Sequence, residues 1–549
     1  MMTGYLSSKR PRYGVHTDIS GFVGLAVKGP VAGAPQLILS YPDFLRLYGG
    51  AFVHGESHLL YAVKQFFANG GSQCYVARVA PEDAAAASGA SDNLLNAAAK
   101  YPGAWGNDIQ IHITPSHKIK TQILDAPAGR QYVVKNSDGI QPGDVMALIR
   151  EDAPPVYNRV VQVRKGRAVE FEDAFPPDAA DDKPLPSKTL CSVNFNMKIQ
   201  WADFTETYEY LDLNVRSPNY AEKILSQSQL VTVSPSKDGG KITAPVTISL
   251  KGGSDGSADT LNAAAFIGQD HGPGKRAGIQ SFLDNREVSL IAAPGVTDPE
   301  VHAALIAHCE AMNSRMAILD LPEELTGVDD VLAYRNMFNS SFAAIYHPWI
   351  KVMDAAGKQE ITVPPSGSAA GIFARSDVKY GVQKAPANET VAGCVGLSHS
   401  YGSGEQEALC SAGVNLIRNF SGQGIRVWGA RTCSNHPNWK YIQICRLFIY
   451  LRESVRQMTD WVIFEPNTEL LWLKVQRSID VFLTALWRGG VLSGGSPSEA
   501  FFVKVGKDTM TQEDIAQGRL VCSIGVAPVK PSEFIVFEPI QNTGNMNYA

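Results

Sequence analysis

The sequence predicts a mixed α/β protein built from several folding units, and three stretches carry that prediction. Around "EVSLIAAPG", "DPEVHAALIAHCEAMNS" and "RMAILDLP" a strand, a helix and a strand follow one another, the βαβ unit of a parallel sheet. Short alternating strands fill Thr121 to Gln200 and read as a small β module. Two amphipathic helices occupy the region from Tyr441 to Gly490. With 549 residues and about 150 residues per domain, three or four units are expected.

Composition narrows the function. A hydrophobic content of 44% with 19% charge is that of a folded protein. The net charge of -5 leaves no excess of Lys and Arg to neutralise a phosphate backbone, so nucleic acid is not an expected partner. No run of about 20 apolar residues predicts a membrane helix, and "MMTGYLSSKRPRYGVHTDISGF" lacks the apolar core of a secretory signal. Folding in a cytoplasm follows as the expectation. The eight cysteines include no C-x-x-C pair and are expected to be reduced, mostly buried thiols.

Residues 1–20 are polar, carry "SKRPR" and read as an extended arm. "GFVGLAVKGP" and "PQLILS" are strands, "YPDFLRLYGG" and "HLLYAVKQFFANGG" helices stopped by glycine pairs, and "CYVARV" a further strand, which together make a small β-α-α-β unit. Asp83 to Lys100 is alanine-rich and reads as a link before the turn "YPGAWGN" and the strand "DIQIHI". "QYVVKN", "DVMALI", "NRVVQVRKG" and "AVEFED" form the β module, which ends in the solvated loop "FPPDAADDKPLP". Asp298 caps the next helix, with Pro299 in its first turn. Tyr441, Ile444, Phe448, Leu451, Val455 and Met458 stripe the first C-terminal helix, with Arg446, Arg452, Glu453 and Arg456 on other faces. Trp472, Val475, Ile479, Phe482 and Leu486 stripe the second. "AFFVKV", "LVCSIGVAP" and "EFIVFEPI" are strand-like, and a polar tail follows.

No motif supplies chemistry. "GPGKRAG" lacks the spacing of a phosphate loop, and "GGSDGSAD" lacks the acidic ligands of a calcium loop. His54 and His58 in "HGESH" have no third ligand and read as exposed residues at a helix start. "GLSHS" around Ser398 departs from G-x-S-x-G and follows no obvious strand. His302 and His308 lie on different faces of one helix. In "PPSGSAAGIFARSDVKYGVQKAPAN", Ser366 would need a base and an orienting acid to act as a nucleophile. The stretch reads instead as a junction, with Ser376 or Asp377 capping a helix and Ser368 to Gly371 small enough to let a helix approach a sheet. Neither a metal nor a cofactor is expected.

"SGFVGLAVKGP", "LLYAVKQFFANGGSQCYVARV", "YPGAWGN", "KGGSDG", "AAPG", "AILDLP", "FAAIYHPWI", "GVNLIRNF", "IRVWGARTCS" and, most specifically, Pro364 to Leu492 together resemble the tail sheath proteins of contractile bacteriophages and of phage-tail-like contractile injection systems. The resemblance implies a non-enzymatic structural subunit that polymerises as stacked hexameric rings around an inner tail tube and contracts to drive that tube through a cell envelope. It implies as partners further copies of the chain, the tube protein, and baseplate and terminator proteins, with no membrane insertion. The particle would be a virion tail or an injection system assembled in the bacterial host cytoplasm. It further implies this organisation: an N-terminal arm, 1–20; an inner domain from 21–100 and 385–528; an outer, subtilisin-like α/β domain without a working triad from 101–120 and 201–384; a β-rich surface module, 121–200; and a C-terminal arm, 529–549. Arm segments containing Tyr13, Val15, Phe534, Ile535, Val536 and Phe537 would add strands to sheets of neighbouring copies. The alternative is an α/β hydrolytic enzyme of subtilisin-like fold.

Overall fold

The computed structural model describes residues 15–50, 57–91, 94–150, 154–176, 188–236, 242–257, 260–354 and 358–530. At its centre is one nine-stranded sheet. In chain order its elements are β1 (Ser20–Leu25), β2 (Gln36–Ile38), α1 (Tyr41–Tyr48), α2 (Leu59–Ala68), β3 (Cys74–Val79), β4 (Leu290–Ala292), α3 (Pro299–Met312), β5 (Met316–Asp320), α4 (Val328–Arg335), β6 (Ala343–His347), α5 (Ser366–Tyr380), β7 (Glu389–Thr390), α6 (Ser403–Ser411), β8 (Val414–Phe420) and β9 (Gly424–Trp428). The strand order is β2-β3-β1-β4-β5-β6-β8-β9-β7, parallel from β3 through β8 with antiparallel pairs at both margins.

Side chains alternate across a strand, so a parallel sheet covered on both faces needs apolar residues at successive positions. Phe22, Leu290, Ala292, Ile318, Ala344 and Tyr346 point into one core with α1, α2 and α5. Val23, Ile291, Ala317, Leu319 and Ile345 point into the other with α3, α4 and α6. Asp298 caps α3 by accepting the Glu300 amide at 2.8 Å, and the helix ends at Asn313 with a left-handed φ of 54°.

The expected border between 21–100 and 201–384 does not fall between separate sheets. β1 pairs in parallel with β4, Ser20 against Leu290 and Phe22 against Ala292. β1 is buried along nearly its whole length, so its backbone groups need partners on both edges, and β3 supplies only one neighbour.

The alanine-rich stretch expected as a link is instead two strands, Ser88–Ser91 and Leu95–Ala99, which pair with each other while the second also pairs with Val231–Pro235. Leu95, Ala97 and Ala99 face a core of their own. Nearby, Gln110–Ser116 lies between Asn194–Trp201 and Val246–Ser249. Between Ser116 and Asn194 the chain forms a closed six-stranded barrel filled by Ile123, Tyr132, Val134, Met146, Leu148, Val160, Phe171 and Leu190.

The C-terminal part is built on α7 (Ile442–Thr459), α8 (Glu469–Arg488), β10 (Phe501–Val505) and β11 (Cys522–Val526), with short helical turns at Pro497–Ala500 and Gln512–Ala516. Ile442 and Cys445 of α7 enter the first core, whereas Leu447, Tyr450 and Leu451 enter a C-terminal core shared with α8 and Val503 of β10. Helix α7 therefore bridges two cores and is buried on most sides. That corrects the placing of Arg446 and Glu453 on faces away from the core: both are buried. On α8 the stripe Trp472, Val475, Ile479, Phe482 and Leu486 is buried as expected.

Candidate functional site

In a parallel sheet an enzyme site would be sought beyond the carboxyl ends of the strands. There, Asp320 ends β5 and Ser366 opens α5. The Ser366 amide donates to Asp320 Oδ1 at 2.9 Å, and its hydroxyl donates to Oδ2 at 2.6 Å. The Gly295 amide, from the turn after β4, donates to Oδ2 at 3.1 Å. Burial raises the Asp320 carboxyl to about 6, and these donors pull the other way. Ser366 is fully buried, and its hydroxyl meets a carboxylate directly, with no imidazole between them. A nucleophile needs a base to take its proton; here the carboxylate ties the head of α5 to the sheet.

The neighbouring histidines are also held in structural contacts. His347 Nε2 lies 2.7 Å from the Tyr401 hydroxyl, its Nδ1 has no partner among the described residues, and burial lowers its pKa to about 4. His302 contacts the Tyr334 hydroxyl at 2.9 Å, and His308 faces Arg315 at 3.2 Å. Ser398 does follow a strand, Cys394–Leu397, contrary to expectation, but its Oγ has no partner in the described structure. His58 packs edge-on against Trp349, and His54 lies outside the described residues. Asp255 of "GGSDG" accepts the Ala104 amide at 2.8 Å, and Arg276 of "GPGKRAG" pairs with Asp270 at 2.7 Å. Among the described residues no group of three or more His, Cys, Asp or Glu could hold a metal. All eight cysteines are free thiols, five of them buried.

The stretch Pro364 to Asn388 corrects the sequence reading at one point and extends it at another. Helix α5 starts at Ser366, directly after two prolines, so Ser376 and Asp377 lie in its closing turns and cap nothing. The small residues let α5 lie on the sheet, as expected, and also admit a second helix: a Cβ on Gly367 would lie 2.4 Å from the Ala62 carbonyl oxygen, and one on Gly371 2.4 Å from that of Phe66. Asp377 has another role. Arg446 donates to its Oδ1 at 2.9 Å and its Oδ2 at 2.6 Å, both side chains being almost fully buried. Burial pushes the Asp377 carboxyl up, and Arg446 draws it back down.

Arg446 also donates to the Thr17 carbonyl at 2.7 Å, and the Ser289 hydroxyl donates to the same oxygen at 2.5 Å. The start of the described chain is thus clamped where it enters β1. Val15 is half-buried against the C-terminal core of its own chain. Tyr13, Phe534, Ile535, Val536 and Phe537 lie outside the described residues.

β10 and β11 pair only with each other among the described strands, Phe501 against Val526 through Val505 against Cys522. One face packs on α8 through Val503, while Phe502 is half exposed. A two-stranded ribbon is marginal alone and exposes edge N–H and C=O groups to further strands. Neither the clamp nor the ribbon carries a motif in the sequence; the alternating strands alone pointed to the ribbon.

Comparison with known proteins accords with this arrangement. Residues 273–433 match the phage tail sheath protein central domain, and residues 434–540 the phage tail sheath C-terminal domain. The tail sheath protein of Salmonella phage ViI is 21% identical over 488 residues, covering 78% of this chain and 75% of the relative. That of Escherichia phage P2 is 24% identical over 307 residues, covering 53% and 74%. The contracted sheath complex of the extracellular contractile injection system PVC aligns over 96% of this chain and 93% of that one, with TM-score 0.53 and 21% identity. The sheath tail protein of Listeria innocua aligns over 95% and 96%, with TM-score 0.56 and 10% identity. The hydrolase alternative has no support in these relatives or in the geometry at Ser366. With a β-sheet body, a C-terminal helical unit and matches to both sheath domains, the chain belongs to the phage tail sheath family and is a structural subunit of contractile sheaths.

Proposed function

We propose that the subunit polymerises as stacked hexameric rings around an inner tube, and that its terminal segments tether each copy to its neighbours while the bodies repack on contraction. The observation that carries this reading is the β10–β11 ribbon, which no other described strand flanks on either side. The first and last described residues belong to the same region: Val15 packs in the same core, and residue 530 follows four positions after β11 ends. An edge of this kind favours strand addition, and arms containing Tyr13 at one end, rooted by Val15 in this chain's own core, and Phe534 to Phe537 at the other are the proposed donors.

A contact between unlike surfaces that does not close after one turn propagates as a helix, which is the symmetry a sheath needs. Each body then moves as a rigid unit between two packings, with the free energy of contraction set by interfaces rather than by nucleotide. In this scheme α7, α8, β10 and β11 form the inner, tube-facing layer with no catalytic step, and the barrel lies at the surface. One structural relative is a chain of the anti-feeding prophage baseplate, which supports a baseplate partner; the tube and terminator proteins are further proposed partners. The particle is a virion tail or an injection system assembled in the host cytoplasm.

Electron microscopy of purified assemblies tests the reading. The full chain should give striated tubes, and a chain starting at Val15 only short rings or free subunits. Full-length sheaths from the shortened chain would refute it.

A further inference from the structure

We propose that the buried Arg446–Asp377 pair transmits force from the N-terminal segment into α7, and that α7 is the strut leading to the β10–β11 ribbon. The inference rests on the reading that the terminal segments tether neighbouring copies.

Three elements meet at one guanidinium. Asp377 comes from the closing turns of α5, Arg446 from the second turn of α7, and Thr17 from the segment leading into β1. The Phe373 ring lies 4.8 Å from the guanidinium carbon and helps fix its plane. The fork of an arginine holds a carboxylate with both oxygens and still has a donor for a carbonyl; a lysine ammonium lacks that fixed geometry.

A buried ion pair adds little stability over two well-packed apolar side chains. What it adds here is direction. A pull on residues before Val15 first loads the Thr17 carbonyl, held by Arg446 and Ser289, and then the Ile19 carbonyl, which accepts the Ser289 amide at 2.9 Å. Behind these lies β1, hydrogen-bonded on both edges to parallel strands that resist sliding together. Within the next turn and a half after Arg446, Leu447, Tyr450 and Leu451 enter the core that holds α8, Val503 and Val15. A load entering at Thr17 therefore has, beside the sheet, a second path along one helix to the ribbon, and neither path runs through the barrel.

The test uses full-length chains assembled into sheaths and contracted with mild denaturant. Arg446→Lys and Ser289→Ala are compared with Leu190→Ala, a cavity inside the barrel, by counting broken sheaths in negative stain and by the Tm of unassembled subunits. Arg446→Lys is expected to raise breakage several-fold or to block elongation of a folded subunit. Ser289→Ala should act in the same direction but less. Leu190→Ala should break no more often than the parent, although its Tm falls at least as far. Breakage that merely follows Tm across all three variants overturns the proposal, as does intact contraction of both clamp variants. A chain starting at Val15 separates the two ideas. If it builds normal sheaths, the tethering reading fails and the anchor with it; if it does not, while Arg446→Lys sheaths contract intact, the anchor alone fails.

Discussion

Gly367 of α5 sits so close to α2 that a Cβ there would lie 2.4 Å from the Ala62 carbonyl oxygen and 2.5 Å from the Ala62 Cα. Because the opposing atoms are backbone, the contact cannot be relieved by a rotamer change. Gly367→Ala should therefore destabilise the unassembled subunit by roughly 1–3 kcal/mol, the usual range for overpacking. Denaturant unfolding checks this, and an unchanged midpoint would show that the two helices separate without cost.

Arg446 and Asp377 should be strongly coupled. Arg446→Met alone leaves a buried carboxylate without its partner, a loss of about 3–5 kcal/mol. Arg446→Met combined with Asp377→Leu should recover much of that loss. The measurement is a double-mutant cycle on unassembled subunits, and additive losses would contradict the close pairing.

Asp320 gives a pH signature. Its folded-state carboxyl, at about 6, lies above the ordinary aspartate value of 3.8, so the native state binds the proton more tightly than the unfolded chain. The stabilisation is complete below about 4 and is lost as pH rises through about 6, on the order of 3 kcal/mol in all. Asp320→Asn cannot titrate, so the stability difference between parent and variant should shift against the parent over that interval. A difference constant between pH 4 and 7 would refute the assignment.

Ser366→Ala removes the hydroxyl that donates to the same carboxylate. We expect a stability loss of about 1–3 kcal/mol from the buried oxygen left short of a donor. We expect no change in any peptidase assay, because the parent should show no turnover to lose. Reproducible hydrolysis abolished by this substitution would reopen the enzymatic reading.

Deleting Ser532 to Ala549 should leave a soluble, folded subunit that cannot build long sheaths. Normal tubes from this truncation would mean that the C-terminal segment is dispensable for tethering.

The sequence made some of this legible and hid the rest for identifiable reasons. The β4-α3-β5 unit and the buried stripe of α8 follow from periodicity within one window, because the packing partners are close in the chain or the stripe is uniform. The pairing of β1 with β4 leaves no local trace: Ser20 and Leu290 meet only in the folded sheet. Leu95, Ala97 and Ala99 alternate as a strand should, but alanine has low strand propensity and masks the pattern. Reading α7 by its apolar stripe assigned Arg446 to another face, although a helix between two cores can bury a charge whose partner lies on a distant segment. The start of α5 was missed because Ser366 to Gly371 contains weak helix formers, and the Ser376 and Asp377 pair looked like a better cap. The clamp on Thr17 joins residues from four parts of the chain, and no spacing rule covers it.

Ser116 and Asn194 face each other as paired residues in the sheet from which the barrel departs and to which it returns. An excursion whose two ends are already neighbours can be shortened to a tight turn, exchanged for another domain or lengthened without moving the strands that carry it. With the barrel at the surface as proposed, recombination could recoat the outside of such a particle while leaving its machinery unchanged, and an engineer could use the same doorway to display a foreign protein on every copy.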